Sequence, residues 1–432
     1  MLEKIKKIII KTDHFFYSKF GSNNSTKILE NIKEAHVIFS YLNEIGNESK
    51  VRFVGGCVRN AISGEIIYDI DLATSLEPNE VKNRLHRNNV KTIDTGISHG
   101  TITAIFNKRK FEITTLRKDI ATDGRHADVQ FTSDWKEDAL RRDFTINAIY
   151  ADIEGRIYDP LEGAKDLKNG IVKFIGSSEA RIEEDYLRIL RYFRFFLHYS
   201  KIDHDRETIK SIKKNINGIN KISNERIFDE LKKILVNENL YKLFSEEVSN
   251  EIILNIFPQF KYYERIKKLY NLNKRIKFLF DYNLILAILI LDQTNNYEYF
   301  CHKYKISNTV KKRFANITSN FENLKNKNFY SKENIKKLIY LTSKDHVKDL
   351  LLFSTCINKK INNFNIIQLI EYVINCKIPK FPISGDYLKK YGYEPGETMG
   401  KKLKLLEKMW IANEFIIEKE TIDKILEKDI KN

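Results

Sequence analysis

Cysteine is scarce in this chain: Cys57, Cys301, Cys356 and Cys376 are the only four in 432 residues, and they form neither a CxxC pair nor a regular spacing. That argues against a disulfide scaffold and a zinc site, and it fits a reducing compartment, so a cytoplasmic location is expected. Prolines number only six, three of them at 379, 382 and 395 around one loop. No run of about 18 apolar residues occurs, which excludes a membrane-spanning helix on length. Met1 to Lys11 (MLEKIKKIIIK) has an apolar core of only three residues, too short for a signal sequence, and reads as an amphipathic start. There is no P-loop and no HExxH. Asp203-His204-Asp205 is a lone HD dipeptide without an HxxxHD partner, so no HD phosphohydrolase domain is expected, and its aspartate reads as a helix cap.

What is present is enough for more than one domain. Hydrophobic residues make up 42% of the chain, sufficient for proper cores. Lys and Arg number 74 against 58 Asp and Glu, a formal net charge of +16 that suits a polyanionic partner. Part of that excess follows a general richness in Lys, Ile and Asn.

The most informative stretch is Val51 to Thr74, VRFVGGCVRNAISGEIIYDIDLAT. Arg52 to Val54 reads as a short strand, Gly55-Gly56 as a tight turn, and Cys57 to Ile62 as a helix whose free N–H groups face any anion placed there. A second strand is expected from Ile66 to Leu72. Side chains alternate along a strand, so Asp69 and Asp71 would project from one side and Ile70 and Leu72 from the other.

Around it, Ser25 to Leu42 has helical spacing, as does Pro78 to His86. Val90 to Ile93, Gly100 to Phe106 and Lys110 to Leu116 read as strands, the last carrying Glu112. Arg117 to Trp135 is polar and charged and reads as a long mobile loop, and Glu137 to Tyr150 returns to helical spacing. From about Ser177 strands give way to helices. Ala180 to Tyr199 reads as one helix with arginines at 181, 188, 191 and 194.

Two aspartates at i, i+2 with a third carboxylate suit a two-metal phosphoryl-transfer site. One Mg²⁺ would lower the pKa of an attacking hydroxyl and the other would neutralise a pyrophosphate leaving group, and oxygen ligands suit that hard ion. A DxD alone occurs by chance in many proteins; behind a glycine turn and Arg59 it carries more.

The ordered set GGCVRN, YDIDLAT, EITTLR, DGRH, RRDFTINA, DPLEG, EEDYLRILRYFRF and SNERIFDELKKIL resembles the class II tRNA nucleotidyltransferases, the CCA-adding and bacterial poly(A) polymerase family. It covers residue 51 to about 235. The resemblance implies an α+β fold: a polymerase-β-like nucleotidyltransferase head with a mixed sheet, then an all-helical neck, body and tail. The expected division is an extension over 1–24, head 25–170, neck 171–240, body 241–350 and tail 351–432. It further implies Asp69 and Asp71 as metal ligands and Glu112 as the third catalytic carboxylate. Gly55, Gly56 and Arg59 would hold the triphosphate. Arg142, Asp143 and Asn147 would grip triphosphate and ribose, with Asp143 accepting from a ribose hydroxyl. Where the family has Asp, this chain has Asn60, so no role of that carboxylate is carried over.

The EEDYLR match bears on specificity. Asp185 and Arg188 at i, i+3 would lie on one helix face, an acceptor beside a donor. Cytosine and adenine offer an amino donor beside an unprotonated ring nitrogen; guanine and uracil offer a carbonyl beside a ring N–H. The pair therefore suits C and A without a nucleic-acid template, at a cost of about 1 to 3 kcal/mol for each buried mismatch. Arg191 and Arg194 on the same segment complete the nucleotide-binding set.

TGISHGT (Thr95 to Thr101) is more similar to the CCA-adding form than to the poly(A) polymerase form, and the full-length segment from Arg117 to Phe131 argues against a CC-only enzyme. That segment is also the candidate for the switch from C to A. Phe381 to Trp410 resembles the tail that holds the TψC-arm side of tRNA, with Lys389, Lys390, Lys401 and Lys402 supplying charge. The expected activity is CCA addition to tRNA 3′ ends from CTP and ATP with Mg²⁺; the partners are tRNA and these nucleotides, with no membrane and no protein partner. Alternatives are poly(A), A-only or CC-only addition, or a catalytically silent RNA-binding protein.

Overall fold

The computed structural model describes residues 27–43, 50–122, 127–272, 274–358 and 363–428. The expected N-terminal extension and the DGRH motif lie outside them. The chain divides into two compact units, residues 1–239 and 240–432.

Among its described residues the first unit holds nine strands: β1 (Val51–Val54), β2 (Ile70–Thr74), β3 (Lys91–Gly96), β4 (Thr101–Phe106), β5 (Arg109–Thr115), β6 (Arg117–Thr122), β7 (Ala127–Phe131), β8 (Tyr150–Ala151) and β9 (Ile157–Tyr158). Seven form one sheet in the order β3-β4-β5-β2-β1-β8-β9, and β6 and β7 form a separate ribbon. The sheet is mixed as expected: β2 and β5 run parallel, and every other neighbour pair is antiparallel. Helices α1 (Lys27–Glu30), α2 (Lys33–Leu42), α3 (Gly56–Ser63) and α4 (Pro78–Arg87) belong to the same half. Alternation puts Val51 and Phe53 of β1 and Ile70 and Leu72 of β2 into the core, where Phe53 meets Phe39 of α2 at 4.9 Å between ring centroids.

Several local expectations are corrected. The helix over Ser25 to Leu42 is interrupted at Asn31 and Ile32. The second strand begins at Ile70 rather than Ile66, so Asp69 sits in the bend before it. The expected loop over Arg117 to Phe131 is the β6–β7 ribbon, paired from Arg117↔Phe131 to Thr122↔Ala127; its polar composition hid a strand pair that lies outside the main sheet. Glu137 to Tyr150 is not one helix. Helix α5 (Trp135–Leu140) stops because Phe144 leaves it to bridge Phe174 and Thr145 N–H donates to the Lys173 carbonyl at 3.1 Å. A 3₁₀ turn (Thr145–Asn147) and β8 follow.

After α6 (Gly163–Asn169) come α7 (Ser178–Glu184), α8 (Arg188–Tyr199), α9 (Arg206–Asn215) and α10 (Asn224–Leu235). The single helix expected from Ala180 to Tyr199 is thus two, broken at Asp185 in extended conformation (φ −155°, ψ 104°). Asp205 caps α9 as expected, accepting from Thr208 N–H at 2.8 Å. Helix α8 presents Tyr192 and Phe195 to Phe144, and Tyr192 also to Phe174, an aromatic layer that locks it to the RRDFTINA turn.

The regular structure among the second unit's described residues is all helical, from Leu240–Ser245 to Lys419–Lys428. Near its end Ile383, Leu388, Met399, Leu406, Ile422 and Leu426 form one apolar cluster. Among the described residues no helix is long and apolar enough to cross a membrane.

Gly100 ties the TGISHGT segment to the ribbon. Its φ is +80°, and a Cβ there would stand 2.8 Å from Phe131 Cε1 at the ribbon's base. Gly100→Ala should therefore cost about 1–3 kcal/mol, from left-handed strain and displacement of a packed ring. Thermal unfolding, together with faster amide exchange in 117–131, checks this; an unchanged midpoint would show that the ring moves freely.

Candidate active site

Strand β1 ends in a turn at Gly55, whose φ of +69° favours glycine. Helix α3 then starts with unsatisfied N–H groups at its mouth. A Cβ at Gly55 would lie 3.7 Å from Arg142 Nη1; one at Gly56 would lie 3.8 Å from Arg59 Nη2 and 3.9 Å from Asp71 Oδ2. Two arginines and one carboxylate thus border the glycine turn.

The parallel register of β2 and β5 sets Asp71 directly opposite Glu112. Paired residues share a sheet face, so the third carboxylate expected from the sequence stands beside the second. Burial pushes the Asp71 carboxyl up to about 6, and the negative charges of Glu112 and then Asp69 add to the rise against Arg142 and Arg59. Asp69 and Glu112 are exposed, and Asp71 is half-buried. Among the described residues no three His, Cys, Asp or Glu side chains stand close enough to enclose a metal ion. The acidic side chains on this face, Asp69, Asp71 and Glu112, offer only carboxylate oxygens, a set that fits a hard divalent cation better than a soft one.

Arg142 and its neighbour Arg141 are held by a group the sequence did not single out. Arg142 donates to Asp138 Oδ2 from Nε at 3.2 Å and from Nη2 at 3.0 Å; Arg141 Nε and Tyr150 OH donate to the same carboxylate at 2.8 and 2.7 Å. Asp138 is 1% exposed. Burial alone would raise its pKa, but Arg142 and Arg141 override this and hold it well below the usual carboxylate range. Its place three and four residues before two arginines was a readable ion-pair signal.

Asp143 is also buried. Oδ1 accepts from Phe144 N–H and Asn147 Nδ2, both at 2.9 Å, and Oδ2 accepts from Arg191 Nε at 2.7 Å. Against its burial, Arg191 and Asn147 keep it strongly ionised. Both of its oxygens are engaged within the protein, so this structure shows it joining the turn to α8 rather than open to a ribose. Arg194 pairs with buried Glu230 of α10 and lies 4.0 Å from the Phe195 ring centroid.

Asp185 and Arg188 are neighbours, though not through a helix face. Leu187 N–H donates to Asp185 Oδ1 at 3.1 Å and Arg188 N–H to its backbone carbonyl at 3.0 Å, so the turn opening α8 ties their backbones together. Arg226 Nη2 holds Asp185 Oδ2 at 2.7 Å, while Arg188 donates to Glu184 and, at 2.8 Å, to the Arg181 carbonyl. The neighbouring Tyr186 ring fills the space a side chain at Gly218 would need.

The four tail lysines belong to the second unit. Lys389 pairs with Asp386 and Lys401 with Glu397, both at 2.7 Å; Lys390 is exposed and Lys402 half-buried. Exposed pairs of this kind hold a lysine only weakly.

A glycine turn, carboxylates on adjoining strands and arginine donors around one space, with a helical segment behind, define a polymerase-type nucleotidyltransferase head. Residues 51–173 match the family described as "Poly A polymerase head domain", and residues 203–264 the one described as "Probable RNA and SrmB- binding site of polymerase A". The chain is 33% identical over 388 residues to the zebrafish (Danio rerio) protein named "CCA tRNA nucleotidyltransferase 1, mitochondrial", covering 87% of this chain and 86% of that one. It is 31% identical over 418 residues to the "CCA-adding enzyme" of Ligilactobacillus salivarius, covering 91% and 97%. The Bacillus stearothermophilus CCA-adding enzyme in complex with CTP has the same fold, with a TM-score of 0.72 at 23% identity over 92% of this chain and 97% of that one. The chain belongs to the CCA tRNA nucleotidyltransferase family.

Proposed function

We propose that this chain adds CCA to the 3′ ends of tRNA from CTP and ATP, without a nucleic-acid template and with release of pyrophosphate. The observation that carries the reading is the register placing Asp71 beside Glu112, at the edge of the turn bordered by Arg59 and Arg142. The relatives' names specify which member of the nucleotidyltransferase class this arrangement serves.

In this reading Asp69, Asp71 and Glu112 hold divalent metal, Mg²⁺ by their hard oxygen donors. Bound there, the metal would supply charge neutralisation and activation of the primer's 3′ hydroxyl. Gly55, Gly56 and Arg59 seat the triphosphate, with Arg142 fixed by Asp138 on its other flank. Asn147 and Asp143 form the wall on the ribose side. Asp185 and Arg188 read the base edge, Arg226 and Glu184 holding each in place, and Arg191 and Arg194 carry α8 against the site. The second unit, with Lys389, Lys390, Lys401 and Lys402, meets tRNA phosphates, and the neck, body and tail follow the division at 240 and 350. The buried, unpaired cysteines suit a reducing compartment, the cytoplasm in the expectation above; the vertebrate relatives are mitochondrial by name.

The deciding experiment offers tRNAs ending before C74, at C74 and at C75 to the protein with CTP and ATP together. CCA, CA and A respectively are expected, each stopping there. Homopolymeric adenylate would point to poly(A) synthesis, arrest at one position to a CC-only or A-only enzyme, and no extension to a silent RNA-binding protein. Asp185→Ala should relax base choice, with UTP and GTP rising at least about fivefold relative to CTP, because about 1–3 kcal/mol of mismatch cost per contact disappears. A mutant that still refused UTP and GTP while using CTP normally would remove Asp185 from base reading.

A further inference from the structure

Helix α8 also reaches the phosphate turn with its far end. Arg59 Nε donates to Tyr199 OH at 2.8 Å, Nη1 donates to Asn147 Oδ1, and Nη2 lies 3.3 Å from Asn60 Oδ1. The guanidinium also stacks on the rings of Phe195 and Tyr199, 4.9 and 5.1 Å from their centroids. Each of these partners is neutral. The positive charge is therefore fixed in direction without being spent on a carboxylate, which is what a group awaiting a phosphate requires. Asn60 contributes directly: an Asp there would set a negative charge against the same guanidinium.

Tyr199 is itself oriented. Its hydroxyl lies 3.3 Å from Glu65 Oε2 and 3.3 Å from Asn60 Oδ1, and its one proton can serve either while the oxygen accepts from Arg59. Glu65 is in turn held by His198 Nε2 at 2.9 Å. Burial raises the phenol pKa, so the hydroxyl keeps its proton.

We infer that Tyr199 is a positioning residue for the triphosphate: its hydroxyl, backed by Glu65, aims Arg59 at the phosphates over the Gly55–Gly56 turn. The inference rests on the nucleotide-binding reading above. Without the hydroxyl, Arg59 loses the acceptor for Nε and is drawn toward Asp71, on whose carboxyl it already acts. Arg188 and Tyr199 are the first and last residues of α8, a rod of about 17 Å at about 1.5 Å per residue, so one helix serves both the base and the phosphate end of a nucleotide.

The test is Tyr199→Phe in the full chain, which keeps the ring and removes only the hydroxyl. Equilibrium titration should show CTP bound about 5–10-fold more weakly and cytidine unchanged, the loss of roughly one charged hydrogen bond confined to ligands with phosphates. In steady state the KM for CTP and ATP should rise by the same factor, with kcat within about twofold and the KM for tRNA unaltered. Glu65→Ala should shift CTP in the same direction by about 2–4-fold and leave cytidine alone. Equal losses for CTP and cytidine, a fall in the thermal midpoint that accounts for the loss, or wild-type CTP affinity in both variants would overturn the inference. If the wild-type protein extends no tRNA, the activity reading fails on its own, while the comparison of CTP with cytidine still decides the role of Tyr199.

Discussion

Asp71→Asn is expected to abolish nucleotide incorporation and, at the same time, to make the folded chain more heat-resistant above pH 6. Both effects come from one cause. Burial, Glu112 and Asp69 push the Asp71 carboxyl up to about 6, against about 3.9 in an unfolded chain. Between those values the folded state binds more protons than the unfolded state, so stability falls as pH rises through the interval and stays lower above it. The full shift corresponds to at most about 3 kcal/mol; solvent screening at this half-buried site reduces the expected gain on substitution to about 1–2 kcal/mol, a rise of a few degrees. The activity loss should reach three or more orders of magnitude, since a neutral amide cannot replace a charged ligand worth several kcal/mol in the transition state. Thermal scans at pH 4 and pH 8 without divalent ions should show the stability gap small at the lower pH and full at the higher, and millimolar Mg²⁺ should narrow it by stabilising the wild type. A mutant that turns over normally, or melts below the wild type at pH 8, would refute the assignment of Asp71.

The second large effect is expected at Asp138, away from the reacting atoms. Its carboxylate is the buried anion that Arg141, Arg142 and Tyr150 share. Asp138→Ala should cost about 3–5 kcal/mol, because Arg142 would keep its charge and burial without a counter-ion. Asp138→Asn should cost less and should raise the KM for both nucleotides, since Arg142 lies 3.7 Å from the position a Gly55 Cβ would take. The folded-state pKa is depressed, so this contribution is present above the unfolded pKa near 3.9 and is lost as pH falls toward the folded value. The gap between wild type and Asp138→Asn should thus be full at pH 7 and shrink below about pH 4. Trp135 stands 5.4 Å from Tyr150 and is the tryptophan of the first unit, so urea unfolding followed by its fluorescence, with Trp410 replaced by Phe, reads the right region. Equal gaps at both pH values would show that Asp138 acts only through packing.

The glycine turn, α3 and the helices after Ser177 are set by neighbours within a few residues, and they were legible as such. The Asp69–Asp71 spacing was legible too, though the strand starts too late to hold both aspartates. Where polar composition stood in for conformation, the reading failed. The β6–β7 ribbon pairs its strands with each other; β6 (RKDIAT) opens on three charged residues, and only the five residues of β7 (ADVQF) alternate apolar with polar, too short a signal beside the polar stretch around it. The interruption at Asp185 was hidden because helical spacing continues on both sides of it, while the Asp185 side chain bonds Leu187 N–H and opens a turn.

By itself, then, the sequence determined which groups the proposed reading draws on: a glycine turn, the carboxylates near it, and an Asp-Arg pair with the donors and acceptors for C and A. Those are local properties, decided by backbone freedom at glycine, side-chain charge and short spacing. Only the tertiary structure decided which of them meet. The parallel register of β2 with β5 brings Glu112 to Asp71 from 41 residues away, and the packing of α8 brings Tyr199 to Arg59 from 140 away. Contacts over such separations depend on how whole elements dock, and no short-range pattern in the chain encodes them.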